Sequence, residues 1–259
     1  MDKTDVFDRR QGRRSEKLIK DPDRKKVESG VFEYNTLLNI QKLMSKNILD
    51  RMGGPVSTGK EADVFLAYKN GEPIVVKIYR LATSSYFKKA TILQYLQGDR
   101  RFTDIKKNKT SIIFAWVQKE FKNLILASKA GLNAPKPLGV YKNVLAMSAI
   151  GGEEPAPRMI DSPPKDPLQC YESILEQLRL LYKKDLVHAD LSEYNILMDG
   201  DEPYLIDFSQ GVLKTHPKAD FFLRRDVKNL CIFFSKLGVN ADAEKAEGFI
   251  KQPDGTHHP

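Results

Sequence analysis

The sequence predicts an α+β fold in two lobes, the first built on a small β-sheet and the second mainly helical. Three observations carry this reading. Two β-type runs, ADVFLAY and PIVVKIYR, flank Asn70 and Gly71, a residue pair that favours a tight hairpin turn. Two amphipathic stretches, 168–184 and 225–237, lie in the second half of the chain. Between these regions the segment 151–167 carries Pro155, Pro157, Pro163, Pro164 and Pro167, the composition of a connector between lobes.

In chain order, residues 1–30 are charged and unpatterned and read as a loosely held arm. Residues 36–49 place Leu37, Ile40, Met44 and Ile48 on one helical face, so 1–50 is an arm followed by an amphipathic helix. The first lobe is expected over 51–150. It starts with a glycine-rich stretch and the hairpin, and 81–110 follows as a long, flexible, basic loop without periodicity. A helix over 112–130 sets Ile113, Val117, Leu124 and Ala127 on one side and stops at Gly131, before two further β-type runs, PLGVY and NVLAMSAI. The second lobe, 151–259, begins with the connector. Its helix 168–184 shows Leu168, Tyr171, Leu175, Leu178 and Tyr182 at helical spacing; short β-type runs follow over 186–206. The last strong helix, 225–237, aligns Val227, Leu230, Phe234 and Leu237.

A chain of 259 residues, 41% hydrophobic and 29% charged, has the composition of a globular protein with a buried core. No apolar run reaches the roughly 18 residues of a membrane span, so no membrane partner is expected. The polar N-terminus reads as neither a signal nor a transit peptide. Cys170 and Cys231 stand alone, outside any zinc spacing, which fits a reducing cytoplasm. The formal net charge is +8, and from Arg80 to Lys109 eight Lys/Arg (80, 88, 89, 100, 101, 106, 107, 109) face only Asp99 and Asp104. Such a run fits a polyanionic partner such as RNA, or a plain solvated surface.

The stretch GGPVSTGKEA, residues 53–62, raises the question of nucleotide binding. Gly54, four residues, then Gly59 and Lys60 fit a Walker A loop, but Glu61 stands where a metal-binding hydroxyl belongs. That loop also follows a strand and opens a helix, whereas here a helix precedes and a hairpin follows. A glycine loop on a β-hairpin is instead the arrangement of protein kinases, where it covers the nucleotide phosphates.

That arrangement makes four demands. A lysine on the next strand is met by Lys77; Val75, Lys77 and Tyr79 share one strand face, opposite Ile74, Val76 and Ile78. A charge on an apolar strand needs a partner, and a snorkelling edge lysine is the alternative. A carboxylate on the following helix is met by Glu120, the one acid between Asp104 and Glu153. A catalytic loop after a long helix is met by LVHADLSEYNIL, where Asp190 and Asn195 keep the spacing that pairs a hydroxyl-accepting aspartate with a metal-ligating amide. His188 reads as a structural histidine of that loop. A metal-holding aspartate after the next hairpin is met by Asp207 in YLIDFSQG.

The words STGKEA (57–62), VVKIYR (75–80), HADLSEYN (188–195) and IDFSQ (206–210) resemble the RIO atypical serine/threonine protein kinases of the type-one branch, over about residues 31–240. The resemblance implies a protein-kinase-like fold whose C-lobe is trimmed of activation loop and peptide-binding subdomain. It implies ATP in the cleft with magnesium, or manganese, as metal. Ser57, Gly59 and Lys60 would line the phosphates, Lys77 would pair with Glu120, and Ser148 and Ile150 would offer backbone groups to the adenine. Asp190 matches the catalytic aspartate, and Asn195 and Asp207 the metal ligands, with Asp207 also a candidate for a transient aspartyl-phosphate. Ala189 replaces the arginine that reads a phosphorylated activation loop in many kinases. Asp226 is either a brace for the catalytic loop or a surface charge. The basic loop, with Thr83, Ser84 and Ser85 as candidate phosphoacceptors, would contact RNA of the maturing small ribosomal subunit. Two functions remain open: a serine/threonine kinase acting on itself or an assembly protein, and an RNA-particle-binding ATPase switch working through Asp207. A small-molecule phosphotransferase is a weaker third.

Overall fold

The computed structural model describes residues 34–81, 89–103, 105–106 and 108–252. The arm 1–33, the serine and threonine candidates 83–85, and Lys88, Asp104 and Lys107 lie outside the described residues.

An antiparallel five-stranded sheet forms the first lobe in the order β1-β2-β3-β5-β4, from Arg51–Thr58, Ala62–Lys69, Glu72–Tyr79, Val144–Ser148 and Pro137–Tyr141 respectively. The β2–β3 hairpin turns at Asn70 and Gly71, both at positive φ (52° and 83°) as a two-residue hairpin turn of the mirror-image kind requires. The predicted alternation holds: Ile74, Val76 and Ile78 pack with Phe65 and Ala146 on one face of the sheet. Lys77 and Tyr79 point to the other.

The first helix, α1 (Tyr34–Ser45), covers the outer face through Ile40 and Leu43. It is shorter than the periodicity over 36–49 predicts, because Asn47 at φ 59° reverses the chain and Ile48 packs against the bare backbone of Gly139 instead. A buried polar string anchors α1 to the sheet. Asn39 donates to the Asn143 side chain at 2.7 Å, and Asn143 donates to Thr36 (3.0 Å) and to the Tyr79 carbonyl (2.9 Å). That string fixes the end of the strand that carries Lys77. The glycine-rich stretch is itself an edge strand, β1, broken by bulges around Pro55, and an edge is where a proline is tolerated in a sheet.

The expected flexible loop 81–110 needs correction. It contains a helix, α2 (Lys89–Leu96), with Ile92, Tyr95 and Leu96 buried. Ile92, Tyr95 and Leu96 stand three and four residues apart, a single helical turn too short to register as periodicity among its charged neighbours. Tyr95 stacks on Phe222 (5.1 Å between ring centres) and meets the edge of Trp116 (5.9 Å), while His216 Nε2 bonds the Gln94 carbonyl at 2.7 Å. The insertion is thus docked on both lobes.

The next helix, α3 (Lys109–Ala130), is capped by the Asn108 side chain and packs between sheet and second lobe. The second lobe comprises α4 (Pro167–Lys183), the strand pairs β6–β9 (Leu186–Val187 with Val212–Leu213) and β7–β8 (Ile196–Asp199 with Glu202–Leu205), and α5 (Ala219–Lys236). A further helix, α6 (Ala243–Lys251), follows the one predicted to be last; it buries only Ala246 and Ile250 against the lobe, too small an apolar stripe to give a helical periodicity. Cys170 and Cys231 are buried free thiols. No helix among the described residues is long and apolar enough to cross a membrane.

Replacing Tyr95 by alanine removes both ring contacts, and should lower unfolding free energy by about 3 kcal/mol in a urea titration. A change below about 1 kcal/mol would mean that α2 is not docked on the second lobe.

Candidate active site

The sheet and the second lobe enclose a cleft of about 1020 Å³. Ser57, Gly59 and Lys60 line its roof, Ser148 and Ile150 its back, and Lys77, Glu120 and Asp207 its floor. Asp190 and Asn195 are not among the residues lining it; the Asp207 charge acts on Asp190, and the Asn195 carbonyl accepts from the N–H of Ile206, the residue before Asp207, at 3.0 Å.

Roof geometry follows from Gly59. Its amide donates to the Ala62 carbonyl at 3.0 Å, and a Cβ on residue 59 would lie 2.9 Å from that same oxygen, so only glycine closes the turn. Glu61, the letter that spoils the Walker pattern, also lines the cleft, and burial together with the Asp207 charge pushes its carboxyl up.

On the floor, the Lys77 ammonium lies 2.9 Å from Glu120 and 3.0 Å from Asp207. Glu120 is 1% exposed, and its second oxygen accepts from the Tyr79 hydroxyl. Burial works against the Lys77 charge, but Asp207 and Glu120 outweigh it and hold its pKa well above the ordinary lysine value. Tyr79 stays a neutral donor, its pKa raised by burial and by the Glu120 charge. Tyr79 was missed as a site residue, although its place two positions beyond Lys77 on the same strand face carried the signal.

Asp207 sits at φ 60°, a left-handed conformation that aspartate tolerates better than most residues. Its Oδ1 accepts from the Ser209 hydroxyl at 2.7 Å and faces Lys77; none of the described residues donates to its Oδ2. Burial pushes the carboxyl up, and the Lys77 charge with the Ser209 hydroxyl more than offsets it, so Asp207 remains an anion at neutral pH.

Asn195 donates Nδ2 to the Asp190 carbonyl at 2.7 Å and to its carboxylate at 3.2 Å. That fixes the amide's orientation and leaves Oδ1 without a donor among the described residues. One Asn oxygen and one Asp oxygen without protein partners suit a hard cation that takes its remaining ligands from phosphates and water. No group of three or more His, Cys, Asp or Glu suited to a metal occurs among the described residues, and a cation shared with a nucleotide does not need one. Asp190 itself is pushed up to about 6, by burial first and then by Asp207.

The turn before Asp190 is strained, since Ala189 sits at φ 63° and lacks the polar side chain that eases this conformation. Asp226 of α5 holds it. Its carboxylate accepts from the Ala189 N–H at 2.6 Å and the Leu191 N–H at 3.0 Å, and Arg225 donates to the Ala189 carbonyl. Of the two readings of Asp226, brace or surface charge, the buried brace is the one observed. Burial pushes its carboxyl up to about 8 against the pull of both amides. His188 is structural as expected: it bonds the Ile206 carbonyl at 2.9 Å, and burial lowers it to about 4, so the ring is neutral.

Ser148 and Ile150, expected to meet the adenine, lie at the back of the cleft. The Ser148 N–H donates to the Lys136 carbonyl and its hydroxyl accepts from the Lys136 N–H, both at 2.9 Å, which takes those two groups out of play. Ile150 keeps an N–H that donates to no described residue.

Replacing Asp226 by alanine strands two buried amides and should cost about 3 kcal/mol of stability. Hydrogen exchange at Ala189 and Leu191 should accelerate with it; unchanged exchange at both would reject the brace.

A family model described as the RIO domain matches residues 63–246. The RIO-type serine/threonine-protein kinase Rio1 of Haloferax volcanii is 41% identical over 239 residues, covering 92% of this chain and 81% of its own length. The protein of the same description from Methanocaldococcus jannaschii is 41% identical over 227 residues, covering 87% and 77% respectively. Human serine/threonine-protein kinase RIO1 is 34% identical over 248 residues; the match covers 92% of this chain and 43% of the human one. Among solved structures, the Rio2 kinase-ADP/Mg2+-phosphoaspartate complex from Chaetomium thermophilum aligns with a TM-score of 0.63 at 22% identity, over 86% of this chain and 69% of that one, a likeness of fold. With its two-lobed protein-kinase-like fold and these relatives, the chain belongs to the RIO family, among its Rio1-type atypical serine/threonine protein kinases.

Proposed function

We propose that this kinase transfers the γ-phosphoryl group of ATP, with magnesium or manganese, in maturation of the small ribosomal subunit, and phosphorylates itself as well. The observation that carries the catalytic reading is the Lys77 ammonium held 2.9 Å from Glu120 and 3.0 Å from Asp207 at the floor of the cleft. An ammonium fixed by two carboxylates from different elements is a preformed seat for phosphate oxygens, which need the same charge in the same place at every turnover.

Each residue then has a role. Ser57, Gly59 and Lys60 cover the phosphates, and the Ile150 N–H takes the base. Asn195 and Asp207 hold the cation through the oxygens that no described residue engages. Magnesium bound there would neutralise part of the charge on the triphosphate. Asp190 takes the proton of the acceptor hydroxyl while that oxygen bonds to the γ-phosphorus and the β–γ bridging oxygen leaves with ADP. An ionised carboxylate whose pKa lies near neutrality is suited to that proton transfer.

A second reading has its own support. The related Rio2 kinase was solved with ADP/Mg2+ and a phosphoaspartate. In this chain Asp207 has an oxygen unencumbered by described residues, and its attack on the γ-phosphorus would expel ADP and leave an acyl phosphate. Water would then cleave that bond, with Asp190 taking the water's proton. Such a cycle makes the protein an ATPase switch on a ribosomal precursor, with protein phosphorylation incidental.

Incubation with γ-labelled ATP and magnesium separates the two. Acid-stable label on Ser or Thr supports the kinase; label released by hydroxylamine supports the acyl phosphate. In either case Asp190→Ala should lower turnover at least about a hundredfold, the usual loss for a positioned acid–base group. Near-normal turnover in that variant would reject the assignment.

The RNA reading of the basic insertion rests on fewer charges than the sequence offers. Arg80 is spent in a two-point pair with Asp63 (2.9 and 2.6 Å), and Arg101 in a pair with Asp99 at 2.7 Å. Arg100, Lys106 and Lys109 are exposed. Neutralising Arg100 and Lys106 should weaken binding to small-subunit precursor RNA and reduce the salt slope by about one to two counterions. Equal affinity at low salt would remove this partner.

A further inference from the structure

Behind Asp207 lies a cluster of polar groups that the phosphoryl-transfer chemistry does not use. Lys119 of α3 is 0% exposed, yet its ammonium bonds no carboxylate among the described residues. It donates to two backbone carbonyls, that of Ser209 at 2.9 Å and that of Gly211. One turn along α3, the buried Asn123 donates Nδ2 to the Phe208 carbonyl at 2.9 Å and to the Gly211 carbonyl at 2.8 Å. Four hydrogen bonds from one helix face therefore hold the 208–211 turn, which begins at the residue after Asp207. The approach is close enough that a Cβ on residue 211 would lie 3.0 Å from the Asn123 amide nitrogen and 3.2 Å from the Phe208 carbonyl oxygen, so any larger residue there would crowd the turn.

The cluster continues outward into the insertion. The Asn123 Oδ1 accepts from Arg101 Nη2 at 2.9 Å. Arg101 turns its Nε and Nη2 onto Asp99, at 2.9 and 2.7 Å, and its own N–H donates to the same carboxylate at 3.0 Å. Asp99 is itself buried, its side chain 4% exposed.

The buried Lys119 side chain supplies donors to carbonyls that an apolar side chain would leave unpaired. These contacts fall on the 208–211 turn that directly follows Asp207.

We propose that Arg101, Asn123 and Lys119 are positioning residues: the seating of the Asp99–Arg101 bend on α3 sets the 208–211 turn, and through it the aim of Asp207 at the cation. Cation affinity then depends on how the basic insertion sits, which couples the surface proposed to meet RNA to the site that handles ATP. The inference rests on Asp207 as a metal holder.

The test uses the full chain and a fluorescent ADP analogue, titrated with magnesium chloride and separately in EDTA. Lys119→Met and Arg101→Met should each raise the magnesium concentration for half-maximal nucleotide binding about tenfold, the scale of outer-shell effects on metal sites. Nucleotide affinity in EDTA should stay unchanged. Arg101→Lys, which keeps the charge and loses the fork, should fall between. A purely structural role would lower the unfolding midpoint and leave the magnesium midpoint of the folded protein where it was, and that result overturns the proposal. Should Lys119→Met fail to fold, Arg101→Met and Asp99→Asn, at the outer end of the cluster, decide alone. Asp207→Asn separates the two levels. If it keeps the magnesium response, the metal reading of Asp207 fails; if it loses the response while the relay variants keep theirs, only the relay fails.

Discussion

One ammonium shared by two carboxylates organises this molecule. Lys77 comes from the sheet, Glu120 from α3 and Asp207 from the second lobe, and they meet within 3.0 Å at the floor of the cleft. Removing one partner of such a buried set typically costs about 3–5 kcal/mol, because it leaves a charge without compensation. Sheet, helix and lower lobe are thereby held in register by a demand of electrostatics, over and above the apolar packing that surrounds them. The set also carries one negative charge more than positive, which favours a cation beside it.

Around this centre the structure spends backbone strain and relieves it with polar braces. Ala189, in the catalytic loop just before Asp190, and Asp207, after the following hairpin, both adopt left-handed conformations. The first is held by Asp226 and Arg225 from below, the second by Ser209, Lys119 and Asn123 from beside and behind. His188 links the two stretches through the Ile206 carbonyl and packs on Phe208 at 4.8 Å. Asp226, Lys119 and Asn123 are buried polar groups aimed at main-chain atoms, so those turns are held from outside their own side chains.

The insertion between β3 and α3 divides its charge between two uses. Arg80 and Arg101 are tied to aspartates and shape the protein, while Arg100, Lys106 and Lys109 face solvent. Its helix α2 rests on Phe222 and His216 of the second lobe. An anionic partner meeting the exposed charges would therefore act on a segment already in contact with both lobes.

The chemistry-bearing residues were legible because phosphoryl transfer demands particular side chains at particular spacings. Lys77, Glu120, Asp190, Asn195 and Asp207 stand out from their apolar or glycine-rich surroundings, and the β2–β3 hairpin announces itself through Asn70 and Gly71. The alternation of β3 even placed Tyr79 beside Lys77, although its bond to Glu120 depends on where α3 lies. Tertiary structure alone decided the rest. The helix α2 becomes visible only when Trp116 and Phe222 receive Tyr95, and Lys119 and Arg101 read as ordinary surface cations until the fold buries one and pairs the other. Local pattern records which face of an element is apolar. It cannot record which distant carbonyl or carboxylate will meet a charge, since that meeting is made by the packing of elements far apart in the chain.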